Sequence, residues 1–201
     1  MPMKPLIVIT FLLVATNGLL SREQITNDGP GISHESSITW TGRIDKDGGI
    51  VSFTGSGLQH IEEQIREIKP NFSWSHKTNP GSRDSSEEDE GDILCDMAWN
   101  PQFASVFHIR QGITYLRKIH GNCTNGPGPG NCGRVSCSYG SGIWFCNDNP
   151  YPMSVPCSMF GDRAWDIIEK CYAFGDFPTD SVHGQAFDTA GWNIIVAGTD
   201  C

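Results

Sequence analysis

Residues 131–149 read NCGRVSCSYGSGIWFCNDN, two strand-forming runs separated by a glycine-rich centre and carrying three cysteines. Val135, Tyr139, Ile143, Trp144 and Phe145 all favour extended backbone. Arg134–Tyr139 and Gly142–Cys146 are therefore predicted strands, with Gly140-Ser141-Gly142 as the hairpin turn between them. A nucleophilic serine elbow needs G-x-S-x-G on a strand-to-helix turn, and the spacing around Ser141 does not supply it. Upstream, Phe103, Val106, Ile109, Ile113 and Leu116 form a helical stripe within Pro101–His120, closed by Gly121. Gly112 interrupts that stripe at a cost of about 1 kcal/mol against alanine, which predicts close packing on a strand. Gly121–Gly130 (GNCTNGPGPG) reads as a loop. Phe160–Cys171 predicts a second helix, with Phe160, Ala164, Ile167 or Ile168, and Cys171 on one face. Gln185–Phe187 and Trp192–Ala197 predict two last strands around Asp188-Thr189-Ala190-Gly191. The order helix, strands, helix, strands is satisfied by an α+β sandwich, an antiparallel sheet with two helices on one face.

All eight cysteines, Cys95, Cys123, Cys132, Cys137, Cys146, Cys157, Cys171 and Cys201, fall in this region. An even count after export predicts complete pairing, with on the order of a hundred possible connectivities. No C-x2-C pair or H-E-x-x-H motif is present, so neither a metal nor a cofactor is expected. Cys171, on the apolar face of its helix, is well placed to tie that helix to the sheet.

The chain upstream has a different character. Residues 1–21 have the form of a signal peptide: Lys4, the apolar run Pro5–Ala15, then small residues at Thr16, Gly18 and Ser21. That run is too short to span a bilayer as a mature helix. Residues 22–76 form a cysteine-free segment, a possible propeptide. Two short strands are expected in it, around Ile38–Gly42 and Ile50–Phe53. A helix follows, with Leu58, Ile61, Ile65 and Ile68 on one face, ended by Pro70. This ββα unit is too small to hold a core alone, so it must dock or be cleaved away. Residues 77–94, with an acidic block at Glu87–Glu90, have the composition of a disordered linker. The 95–201 region is the stapled domain. Sequons at Asn71 and Asn122 mark candidate glycosylation sites.

The formal net charge is −9, yet from Cys95 onward nine acidic residues face six basic ones. Without clustered Lys and Arg, nucleic acid is excluded as the expected partner.

The 131–149 stretch resembles one recurring in small secreted cysteine-rich proteins of filamentous fungi. The ending Gly184-Gln185-Ala186-Phe187, Gly191-Trp192-Asn193-Ile194-Ile195-Val196 and Cys201 is similar to the end of those chains. The resemblance covers roughly residues 103–201. More loosely, the element order resembles fungal killer toxins and necrosis-inducing effector domains, which are secreted, stapled α/β sandwiches acting on other cells. The resemblance implies an extracellular effector and carries over no functional residue.

Three functions are compatible with these residues. The first is a secreted, non-enzymatic effector or killer-toxin-like protein that binds an extracellular protein, membrane or cell-wall target. The second is a secreted hydrolase using His183 with an aspartate, Asp188 being the one expected to meet it across a turn; His108 and His120 are the other candidate acid–base groups. Glu169, Asp148, Asp162 and Asp166 are the remaining carboxylates for a glycosidase-type pair. The third is a cell-wall carbohydrate binder using Trp99, Trp144, Trp192, Tyr139 and Tyr151, although tryptophans more often build cores.

Overall fold

The structure is a computed structural model, and it describes residues 36–74, 90–98, 101–172 and 180–201. The expected signal peptide, the 77–89 part of the linker and Trp99 lie outside the described residues. Two apolar strands dominate: Ser141–Asn147 (β7) and Trp192–Gly198 (β11), paired antiparallel with Ile194 opposite Phe145. Their alternate side chains divide between two clusters. Ile143, Phe145, Trp192, Ile194 and Val196 join the main core; Trp144, Cys146, Ile195 and Ala197 join Cys132 in a second, smaller one. Asn131–Ser138 (β6) flanks β7, while Gly184–Asp188 (β10) and Glu90–Leu94 (β3) extend the other side. The sheet order is β3-β10-β11-β7-β6, antiparallel throughout.

The two helices of the stapled region, Val106–Leu116 (α2) and Met159–Cys171 (α3), contribute to the main core from the side of Phe145 and Ile194. Val106, Ile109, Ile113 and Leu116 of α2 and Phe160, Ala164, Ile167, Ile168 and Cys171 of α3 are buried, as their spacing predicts. Gly112 explains the helix's close approach: a Cβ there would meet Ser136 Oγ at 2.8 Å and Ile143 Cδ1 at 3.1 Å. Phe103 lies outside the helix. Ahead of α2, Ala104–Ser105 (β4) instead pairs with Ser181–Val182 (β9).

All eight cysteines are paired: Cys95–Cys171, Cys123–Cys157, Cys132–Cys146 and Cys137–Cys201. The first joins the end of β3 to the end of α3, as the position of Cys171 on its helix suggests. The third links directly opposed residues of β6 and β7.

The expected ββα segment is present as Ile38–Gly42 (β1), Val51–Gly55 (β2) and Leu58–Ile68 (α1). Leu58, Ile61 and Ile65 are buried, whereas Ile68 points to solvent. The segment is no appendage. β1 pairs with β2 on one edge and with Asn122–Asn125 (β5) on the other, and Met153–Pro156 (β8) completes the sheet β2-β1-β5-β8. The propeptide alternative for 22–76 therefore meets a described part, 36–74, that belongs to the same core.

Two boundaries need correction. Residues 90–94 of the expected 77–94 linker form β3, because Gln185 and Ala186 of β10 offer ladder partners to Leu94 and Ile93. The Gly121–Gly130 loop contains strand β5, which is held between β1 and β8 and anchored by Cys123–Cys157.

No disulfide joins 36–74 to the rest; packing, the β1–β5 ladder and hydrogen bonds such as Ser36 N–H to the Cys132 carbonyl and Trp40 Nε1–H to the His120 carbonyl hold it in place. The linker-like composition of residues 77–89 predicts protease access, with Lys77 and Arg83 as the tryptic sites. Limited trypsin treatment should leave two fragments that co-elute on gel filtration and separate in denaturing electrophoresis without reductant. Loss of the smaller fragment on the native column would contradict this docking.

Candidate functional site

The residues with acid–base chemistry occupy structural positions. His183 is buried, its ring stacked on Phe103 at 4.2 Å and its Nδ1–H donated to the carbonyl of Pro101 at 3.1 Å. Asp188 stands five residues further along the chain, about 16 Å at strand rise. Its carboxylate accepts from Arg163 at 2.9 Å and from the Ala190 N–H at 2.9 Å. The expected His183–Asp188 pair is therefore not formed, because both lie along one extended run and do not face each other across a turn. His120 donates Nε2–H to the carbonyl of Arg43 at 2.9 Å and packs edge-on against Trp40 and Trp74.

Three of the other carboxylates are similarly engaged. Asp162 pairs with Arg117 at 2.8 Å, and Asp166 lies 3.7 Å from Arg163. Asp148 accepts from the Gly130 N–H and from Asn193 Nδ2. Glu169 is exposed on α3. The Tyr115 phenol is raised well above its ordinary pKa, first by burial and then by the Glu62 carboxylate, so it stays neutral and serves the core. Among the described residues no three His, Cys, Asp or Glu side chains gather as metal ligands.

The expected sugar-stacking face is also dispersed. Trp144 and Trp192 are core residues, while Tyr139 and Tyr151 are exposed beyond opposite ends of β7. At the Tyr151 end, buried Asn147 donates to the carbonyls of Gly126 and Tyr151 and accepts from the Asn149 N–H. Asn125 donates to the carbonyls of Asn131 and Phe145. These amides fix the 126–131 turn and leave little of their own polarity free for a ligand. Asn71 and Asn122, the two sequon asparagines, are both exposed.

The opposite end of β7 carries the distinctive surface. The β6–β7 turn consists of Tyr139 and Gly140, with φ of 48° and 73°, flanked by the opposed pair Ser138 and Ser141. Positive φ at both positions makes it a type I′ turn, which favours Asn-Gly because the left-handed region costs other residues about 1–2 kcal/mol. Tyr139 nevertheless occupies the first position and is 81% exposed. Its ring stacks on His108 at 4.7 Å, and Phe107, 63% exposed, meets that histidine edge-on at 5.3 Å. His108 Nδ1 is buried without a hydrogen-bond partner. The end of β11 adjoins this cluster: Gly198 N–H donates to the carbonyl of Gln102, and Thr199 N–H to that of Gly140. Phe103 thus borders the same end of the sheet. Sequence reading assigns Tyr139 to a strand and places the turn one residue too late; the aromatic in the left-handed position is the feature it misses.

This chain matches no protein-family model, and neither the curated proteins nor the solved structures provide a match.

A structural role for Asp188 has a measurable signature. Arg163 and Asp188 side chains are 7% and 6% exposed, and because Asp166 stays 3.7 Å from Arg163 the loss on removing Asp188 is that of a buried charge-assisted hydrogen bond, about 1.5–3 kcal/mol. Asp188→Ala should lose that much in denaturant unfolding, and Arg163→Met with Asp188→Leu should recover a large part. Unchanged stability in Asp188→Ala would return the carboxylate to the list of chemical candidates.

Proposed function

We propose that this chain is a secreted, disulfide-stapled effector or killer-toxin-like protein that binds a target on or outside another cell through the surface of Phe107, His108 and Tyr139. The observation that carries the reading is Tyr139, a large aromatic ring held in solvent at a backbone position where asparagine or glycine would be more stable. Strain of this kind persists where the surrounding structure maintains it and where it serves a function. Rigid, exposed aromatic rings are also the side chains that contribute most at protein interfaces.

Export is supported by the four disulfides, the signal-like residues 1–21 and the exposed sequons, which would carry glycans on an exported chain. Among the described residues no helix is long and apolar enough to cross a membrane. The hydrolase alternative, with His183 acting beside an aspartate, has no support from Asp188, which is committed to Arg163.

The test exploits the turn itself. Tyr139→Asn creates the preferred Asn-Gly turn and should raise stability by about 1 kcal/mol while lowering activity at least tenfold. Phe107→Ser should lower activity with stability nearly unchanged. Activity is read as growth inhibition or necrosis on fungal, bacterial and plant cells, and retention is read on those cells and on chitin and glucan. Full activity in both variants would overturn the assignment of this surface, and retention on the polysaccharides alone would favour the carbohydrate binder.

A further inference from the structure

The four disulfides are unequal in their access to solvent. Cys123, Cys132, Cys146, Cys157 and Cys171 are buried, Cys95 and Cys137 are half-buried, and only Cys201 is exposed. The Cys137–Cys201 bond thus joins an exposed residue to a half-buried one, the most open residue pair of the four disulfides. Its other sulfur has a cation beside it: Arg134 Nη1 donates to Cys137 Sγ at 3.5 Å, and also to the carbonyl of Asp200 at 2.8 Å. A neighbouring guanidinium lowers a cysteine's pKa, and a thiol of lower pKa departs faster in disulfide exchange.

We propose that Cys137–Cys201 is a thiol-exchange site, with Cys201 the sulfur attacked and Cys137 the sulfur released. A low-molecular-weight thiolate attacks Cys201 Sγ and forms a mixed disulfide there. The Cys137–Cys201 bond breaks, and its electron pair stays on Cys137 as a thiolate beside Arg134. A second thiolate attacks the outer sulfur of the mixed disulfide and releases Cys201 as a thiolate. The net change is a two-electron reduction of the protein disulfide, with the external thiol oxidised to its own disulfide. Opening the bond unfastens Thr199–Cys201, whose Thr199 N–H rests on the Gly140 carbonyl of the turn that carries Tyr139. The other three disulfides continue to hold the core.

The experiment treats the full native chain with graded glutathione at neutral pH, traps free thiols with an alkylating reagent and maps them by peptide mass spectrometry. Cys137 should be alkylated, and Cys201 should carry glutathione, before any of the other six cysteines reacts. Arg134→Gln should slow this opening by about threefold to tenfold, and Arg134→Lys should restore most of the rate. The proposal is overturned if another pair opens first, if all eight react together, or if Arg134→Gln opens at the unaltered rate. Should Arg134→Gln destabilise the fold, labelling of the other six reports it, and the order of opening in the unaltered protein decides.

Discussion

Trp40 is fully buried on β1 and donates its indole N–H to the carbonyl of His120 at 2.7 Å. Its ring meets Trp74 at 5.3 Å and His120 at 6.1 Å, and it packs against the backbone at Gly121. This one side chain thus fastens a segment without cysteines to the turn leading into β5. Removing a buried tryptophan side chain typically costs about 3–5 kcal/mol, a large part of a total stability of about 5–15 kcal/mol. The disulfides cannot make good that loss, because none of them reaches β1, β2 or α1.

Two kinds of constraint consequently meet in the fold. Within 95–201 the cross-links limit the unfolded chain and tie α3 to β3, β5 to the start of α3, β6 to β7, and β6 to Cys201. Between 36–74 and the remainder, apolar burial does the joining, through Ile38, Trp40, Leu58, Ile61 and Ile65. The Arg163–Asp188 pair adds a polar link of the same long-range kind, between α3 and the β10–β11 turn.

The elements legible in the sequence are those whose signal is local. A stripe of apolar residues at helical spacing marks α1, α2 and α3, and runs such as Gly142–Cys146 and Trp192–Ala197 mark β7 and β11 through strand propensity. β5 is hidden because Asn122-Cys123-Thr124-Asn125 is polar and bordered by glycine; its extension is imposed by β1 and β8, more than 25 residues away in either direction. β3 is hidden because it begins in an acidic run, and only Ile93 of its length packs against the core. At the candidate site, Phe107, His108 and Tyr139 are plain in the sequence, but their meeting depends on how α2 lies across β6. Tyrosine's strand propensity also conceals that Tyr139 sits in the turn.

The central claim is that 36–74 and the stapled region form one cooperative core. Native-state hydrogen exchange in moderate denaturant tests it directly, by comparing the amides of Thr39–Thr41 in β1 with those of Ile143–Phe145 in β7. The account predicts that the protected amides of both strands converge on the same opening free energy, that of global unfolding. Exchange of β1 through a separate opening several kcal/mol lower, with β7 still protected, would contradict it.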